Sequence, residues 1–160
     1  MKHSTFRRRS AVAYARRWAL ARNEQYYDYS AIGGDCTNFA SQALFAGSRQ
    51  MDLTPVFGWY YRSANEKAPA WTGAEFLYRY LIRAQATPGP FAVVSERGLL
   101  QPGDLVQLSF DADRFSHTLV VTQTAPELLI CAHSEDSLDR PLASYRFQLA
   151  RYLHIVSVNR

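Results

Sequence analysis

Near the start of the chain, apolar positions recur with the period of a helix. From Ser10 to Ala21, residues Ala11, Tyr14, Ala15, Trp18 and Ala19 fall at i, i+3, i+4, i+7 and i+8. That spacing makes one stripe of an amphipathic helix, with arginines on the opposite face. The next stretch, "NEQYYDYSAIGGD" at 23–35, is rich in tyrosine and turn formers and reads as a loop. A second helical stripe starts at Cys36, continues through Phe39, Ala40, Ala43 and Leu44, and is expected to stop with Gly47 as its C′ residue. From Ser48 to Ala70 no period is visible, and Pro55, Gly58 and Pro69 mark a long surface connection. Thr72 and Glu75 form a T-x-x-E capping box that predicts a third helix, with Phe76, Leu77, Tyr80 and Leu81 as its apolar face. After "TPGP" the pattern shortens. "DLVQLSF", "HTLVVTQ", "ELLICAH" and "LHIVSV" are β-rich runs separated by turn residues, and they predict an antiparallel meander. Helices followed by strands make an α+β fold, and no repeat or low-complexity segment interrupts it.

Composition narrows the class. A chain of 160 residues, 48% hydrophobic and 14% aromatic, is long enough to bury a core and reads as one domain over residues 1–160. Two cysteines do not make a disulfide framework, so each is a core residue, a ligand or a nucleophile. Net charge is +4, with Arg7, Arg8, Arg9, Arg16, Arg17 and Arg22 crowded near the start. An anionic partner such as a cell-wall polymer fits that charge. No zinc-finger or RNP-type motif accompanies it, so nucleic acid is not expected. No apolar run has signal-peptide or membrane-spanning length, so the chain as written is expected in the cytoplasm, away from membranes, unless it is trimmed or exported by another route.

The chemistry concentrates at "GGDCTN", residues 33–38. Asp35 is a favoured N-cap residue, and the two glycines before it allow backbone shapes that other residues resist. Cys36 then falls at the first helical position. There the unpaired amides and the helix dipole favour a thiolate, and the Cys36 N–H is placed to donate to an oxyanion. Asp35 is expected to cap, to orient and to border the substrate. A nucleophile needs a base, and the histidines are His3, His117, His133 and His154. His3 lies near the chain start and His154 between Leu153 and Ile155, where a structural role is expected. His117 opens one strand and His133 closes another, each equally far from Ala125, so a hairpin folded there sets the two imidazoles opposite each other. His133 would then orient His117, with Asp136 as the competing partner. Trp59 and Tyr60, with the loop tyrosines Tyr26 and Tyr27, are candidate walls of a cleft.

In their order along the chain, "AVAYARRWA", "NEQYY", "GGDCTNFASQAL", "WYY", "LQPGDLVQL", "SHTLVVT" and "HSED" resemble the bacterial putative amidase domain family, a relative of the NlpC/P60 and CHAP cysteine hydrolases. The resemblance covers nearly the whole chain. It implies a papain-like α+β fold, a helix-start nucleophile Cys36, a base His117 and, by analogy with NlpC/P60 enzymes, His133 as the third catalytic group. The expected activity is hydrolysis of a peptide or N-acyl amide through a thioester, with a peptidoglycan stem peptide or fragment as the first substrate and no cofactor. Acyl transfer on the same residues and a catalytically silent wall-binding module remain alternatives. A zinc site of Cys36, His117 and His133 lacks the short ligand spacing of structural zinc, and no metal is expected.

Overall fold

The computed structural model describes residues 1–160. Helix α1 spans Arg8–Trp18 and buries Ala11, Ala15 and the following Ala19 completely, while Tyr14 and Trp18 pack at the edge of the core. Helix α2, Cys36–Ser48, is buried on almost every side, because α1 covers one face and the sheet covers another. Its small residues, Ala40, Ser41, Ala43 and Gly47, permit that crowding. The helix runs through Gly47 and ends at Arg49, which takes the left-handed conformation at φ 56°. Gly47 is therefore a packing residue. A Cβ there would lie 2.5 Å from Phe6 Cε1.

The predicted third helix is two pieces, α3 (Pro69–Thr72) and α4 (Ala74–Leu81), with Gly73 as the N-cap of the second. Pro69 starts a turn early, as its fixed φ favours, so Thr72 is already helical and cannot cap. Glu75 instead accepts from Arg79 at 3.3 Å and Arg151 at 2.9 Å. Leu77, Tyr80 and Leu81 are buried as expected, but Phe76 is exposed. The segment before α3 holds a short hairpin, β2 (Tyr61–Ser63) with β3 (Glu66–Lys67), and a bridge between Asp52 and Trp59.

The main sheet is antiparallel. Strands β5 (Leu105–Ser109), β6 (His117–Gln123) and β7 (Leu129–Ala132) form the expected meander, and β8 (Ser137–Pro141), which the apolar pattern does not predict, continues it. The last strand, β9 (Leu149–Asn159), does not extend it but returns to pair with β5. Beyond β5, the end of β9 pairs with β1 (His3–Ser4), and its other edge pairs with β4 (Gly89–Ser95). Alternation along β6 splits the core: Val120 packs under the helices, whereas Leu119 and Val121 pack on the far face with Val106, Ile130 and Leu142. Thr118 follows Val120 and reaches Thr37 of α2 at 2.9 Å. His117 therefore starts β6 on the side of Leu119, at the end of the sheet where α2 begins.

Candidate active site

A cleft of about 580 Å³ opens at that corner. Cys36 and His117 both line it, together with Gly33, Gly34, Ser116 and Tyr145. Cys36 is the first residue of α2, and the first backbone bond of the helix runs from Phe39 N–H to the Asp35 carbonyl. The amides before Phe39 are the unpaired donors of a helix start. Gly33 and Gly34 have φ of 81° and 100°, a region that a β-carbon disfavours, and they turn the chain sharply into the helix. The sulfur lies 3.7 Å from the Ser116 carbonyl and 3.8 Å from Thr37 Oγ1. No hydrogen bond joins it to the His117 ring, whose aromatic neighbours are Tyr145 at 5.9 Å and Phe110 at 6.2 Å.

Charge states follow from burial. The Cys36 thiol is pushed up from its ordinary value by desolvation, against the pull of the Thr118 amide and the Thr37 hydroxyl and amide. The helix start alone suggests a thiolate, but the enclosure of the sulfur outweighs it. His117 is pushed down to about 4, first by burial and then by the nearby Arg140 charge. The pair therefore rests as thiol and neutral imidazole. Cys131, fully enclosed in β7, is pushed up to about 11 by the same desolvation.

His133 does not meet His117. Val120 pairs with Cys131 and Val121 with Ile130, and this register continued toward the strand ends sets His133 opposite Thr118. One residue of slip moves a side chain to the other face of a sheet, so His133 points under the helices. A shift in register between Val121 and Gln123 makes the hairpin asymmetric about Ala125. His133 Nδ1 instead lies 2.5 Å from Asp35 Oδ2, and its Nε2 lies 2.8 Å from the Trp18 carbonyl. Its ring stacks on Phe39, with centroids 4.1 Å apart. Cys36, His117 and His133 thus form no common ligand set.

Asp35 is also other than expected. Its carboxylate makes no cap bond to α2 and is 1% exposed, too deep to border a substrate. It accepts from the Tyr29 amide and from Asn38 Nδ2, each at 2.9 Å, and from His133. Arg22 stands alongside, gripping Asp136 through Nη1 at 2.8 Å and Nη2 at 3.1 Å, with Nη1 also 3.2 Å from His133. Asp136 is thus an anchor for Arg22, and like His133 it does not orient His117. Together these groups clamp the loop before Cys36 to α1 and to the end of β7.

Of the aromatic residues expected along the cleft, Trp59 is fully buried, donating from Nε1 to Ser41 Oγ and packing 4.7 Å from Trp71. Tyr26 stacks on Trp71 at 6.0 Å and belongs to the same core edge. Tyr60 is half-buried beside Trp59 and lies outside the cleft. The cleft walls come from Phe110, Ser134, Glu135, Arg140, Tyr145 and Arg146. Phe110 ends the run "DLVQLSF", but nothing in the apolar patterning marks Arg140, because β8 is short, charged and ends in proline.

Residues 5–156 match the family described as "Putative amidase domain". The chain belongs to that family. Two curated proteins of Bacillus subtilis (strain 168) are similar to this amidase-family domain. Uncharacterized protein YhbB is 35% identical over 117 residues, covering 71% of this chain and 36% of its own length. Uncharacterized protein YjcM is 28% identical over 142 residues, covering 82% of this chain and 32% of its own length. The domain thus spans about a third of each relative. No solved structure matches it. No helix is long and apolar enough to cross a membrane.

Proposed function

We propose that this amidase-family domain, residues 1–160 acting as one unit of papain-like type, is a cysteine-dependent amide hydrolase. His117 takes the proton of Cys36, and the sulfur attacks the substrate carbonyl. The oxyanion is held by unpaired amides at the start of α2. The imidazolium then protonates the departing amine, leaving a thioester on Cys36. A water molecule, deprotonated by His117, releases the acid and restores the thiol. Substrates are peptides or N-acyl amides, with peptidoglycan stem peptides or their fragments first among them.

One observation carries the reading: a cysteine at the first position of a buried helix shares a cleft with a histidine kept neutral by its surroundings. The imidazole is unprotonated and so has a lone pair for the thiol proton, although a pKa near 4 makes it a weaker base than an ordinary histidine, and a desolvated thiol that ionises only when its proton is taken suits general-base attack. The two groups act as a dyad, since His117 has no polar side chain holding its ring. Release of free amine from a panel of muropeptides and N-acyl amino acids tests the proposal. The native protein should turn over at least one member, and Cys36→Ala and His117→Ala should each lose about 100-fold or more of kcat/KM. Turnover that survives Cys36→Ala would refute it.

A further inference from the structure

Arg140 reaches the cleft from β8, opposite the helix that carries Cys36. Its guanidinium lies over the Tyr145 ring, with Cζ 3.7 Å from the centroid. Nε donates to Ser144 Oγ at 2.7 Å, and Nη2 points to the Ser144 carbonyl at 3.4 Å. The plane of the fork is thus fixed before any ligand arrives. Its acidic neighbour is Glu135, whose Oε2 is 3.8 Å from Nη1, beyond hydrogen-bond reach, and whose side chain is 88% exposed. A contact so open to solvent holds little energy. Arg146 lines the same cleft and has no acidic partner. Two cations therefore face one solvated carboxylate next to a neutral His117 and a thiol. The nearness of Arg140 to the base also helps to depress His117. That cost to the base makes sense where the cation serves the substrate.

We propose that Arg140, supported by Arg146, selects substrates that carry a free carboxylate beside the scissile amide. The proposal rests on Cys36 and His117 being the reacting pair and adds the chemical class of what they act on. A stacked, pre-oriented guanidinium matches a carboxylate in two parallel N–H···O bonds, and a neutral amide cannot reproduce that charge-assisted pairing. Gly33 leaves room across the cleft: a Cβ there would meet nothing within 4 Å, whereas one on Gly34 would touch Ser134 Oγ at 3.4 Å. The acid thus has space between Arg140 and the sulfur.

Iodoacetate and iodoacetamide test this without a known substrate, because they alkylate the same sulfur and differ in one charge. Their rates at Cys36 are read by peptide mass spectrometry, with Cys131 as the buried internal control. In the native protein the iodoacetate-to-iodoacetamide ratio should be raised relative to free cysteine. It should fall about fivefold or more in Arg140→Gln, fall to an intermediate value in Arg140→Lys, which keeps the charge but not the stacked fork, and decline with added salt. Arg146→Gln should lower it less. An equal ratio in native protein and Arg140→Gln overturns the selection while leaving the nucleophile assignment standing. Failure of both reagents to label Cys36 ahead of Cys131 overturns the hydrolase reading as well.

Discussion

At pH 5.0 the native protein should have lost about 2 kcal/mol of stability through His117 alone. The residue is 7% exposed, and burial holds its pKa near 4 in the folded chain, against an ordinary value of 6.5. As pH falls, the unfolded chain binds the proton first. The contribution is fully present above pH 6.5 and is lost as pH falls toward 4, where the loss reaches about 3 kcal/mol at about 1.4 kcal/mol per pH unit. Other groups also titrate in that window, so the informative quantity is a difference of differences. Urea unfolding of native protein and His117→Asn at pH 7.5 and 5.0 isolates it. Asparagine keeps a polar side chain of similar reach and has no proton to gain. The stability gap between the two proteins should shift by about 2 kcal/mol in favour of the variant on acidification. A gap that stays constant within about 0.5 kcal/mol would refute the reasoning, because His117 would then be as free to charge in the folded chain as in the unfolded one. The same position fixes the acid limb of catalysis: kcat/KM should stay level well below pH 6.5 and fall only as His117 charges near pH 4.

Removing one member of the buried Asp35–His133 pair leaves the other without its partner. Asp35→Asn and His133→Ala should each cost about 3 kcal/mol in urea unfolding, and iodoacetamide labelling should report a changed Cys36 environment. Asp136→Ala, at the solvated end of the Arg22 fork, should cost under about 1 kcal/mol by the same assay. Gly47→Ala forces a methyl group against Phe6 and the Arg7 carbonyl, and should lower thermal stability by about 1–3 kcal/mol with m-value unchanged.

What the sequence makes legible follows physical rules that act locally. The period of α1, the start of α2 at Cys36 and the β-rich runs that became β5, β6, β7 and β9 are all written in nearest-neighbour spacing. Strand β4 escapes because its start, Gly89-Pro90, looks like the end of a turn. The return of β9 to β5 is a choice among edges, and no local pattern records it. His133 shows the sharper limit. Symmetry about Ala125 predicts a pairing with His117, but an irregularity of one residue in the β6–β7 hairpin reverses the face of the side chain. Trp59 illustrates the opposite error. A segment without period can still fill a core when its tryptophan finds a hydrogen-bond partner, here Ser41 Oγ. Arg140 and Tyr145, which shape the cleft, lie in a stretch where charge and proline hide the strand.

The many partners of β9 set the order in which this molecule can assemble. The meander from β5 to β8 joins neighbours in the chain and can form while synthesis is still under way. The strands β1, β4 and β5, by contrast, are gathered only by β9, the last strand of this fold. Until it emerges, β4 and the outer edge of β5 lack their common partner, and Leu153, Ile155 and Val158 are missing from beneath the helices. Closing such distant pairings is slow and leaves strand edges exposed meanwhile. A chain stopped a dozen residues short would therefore be an unsealed sheet prone to self-association, and refolding should be all-or-none around the docking of its final strand.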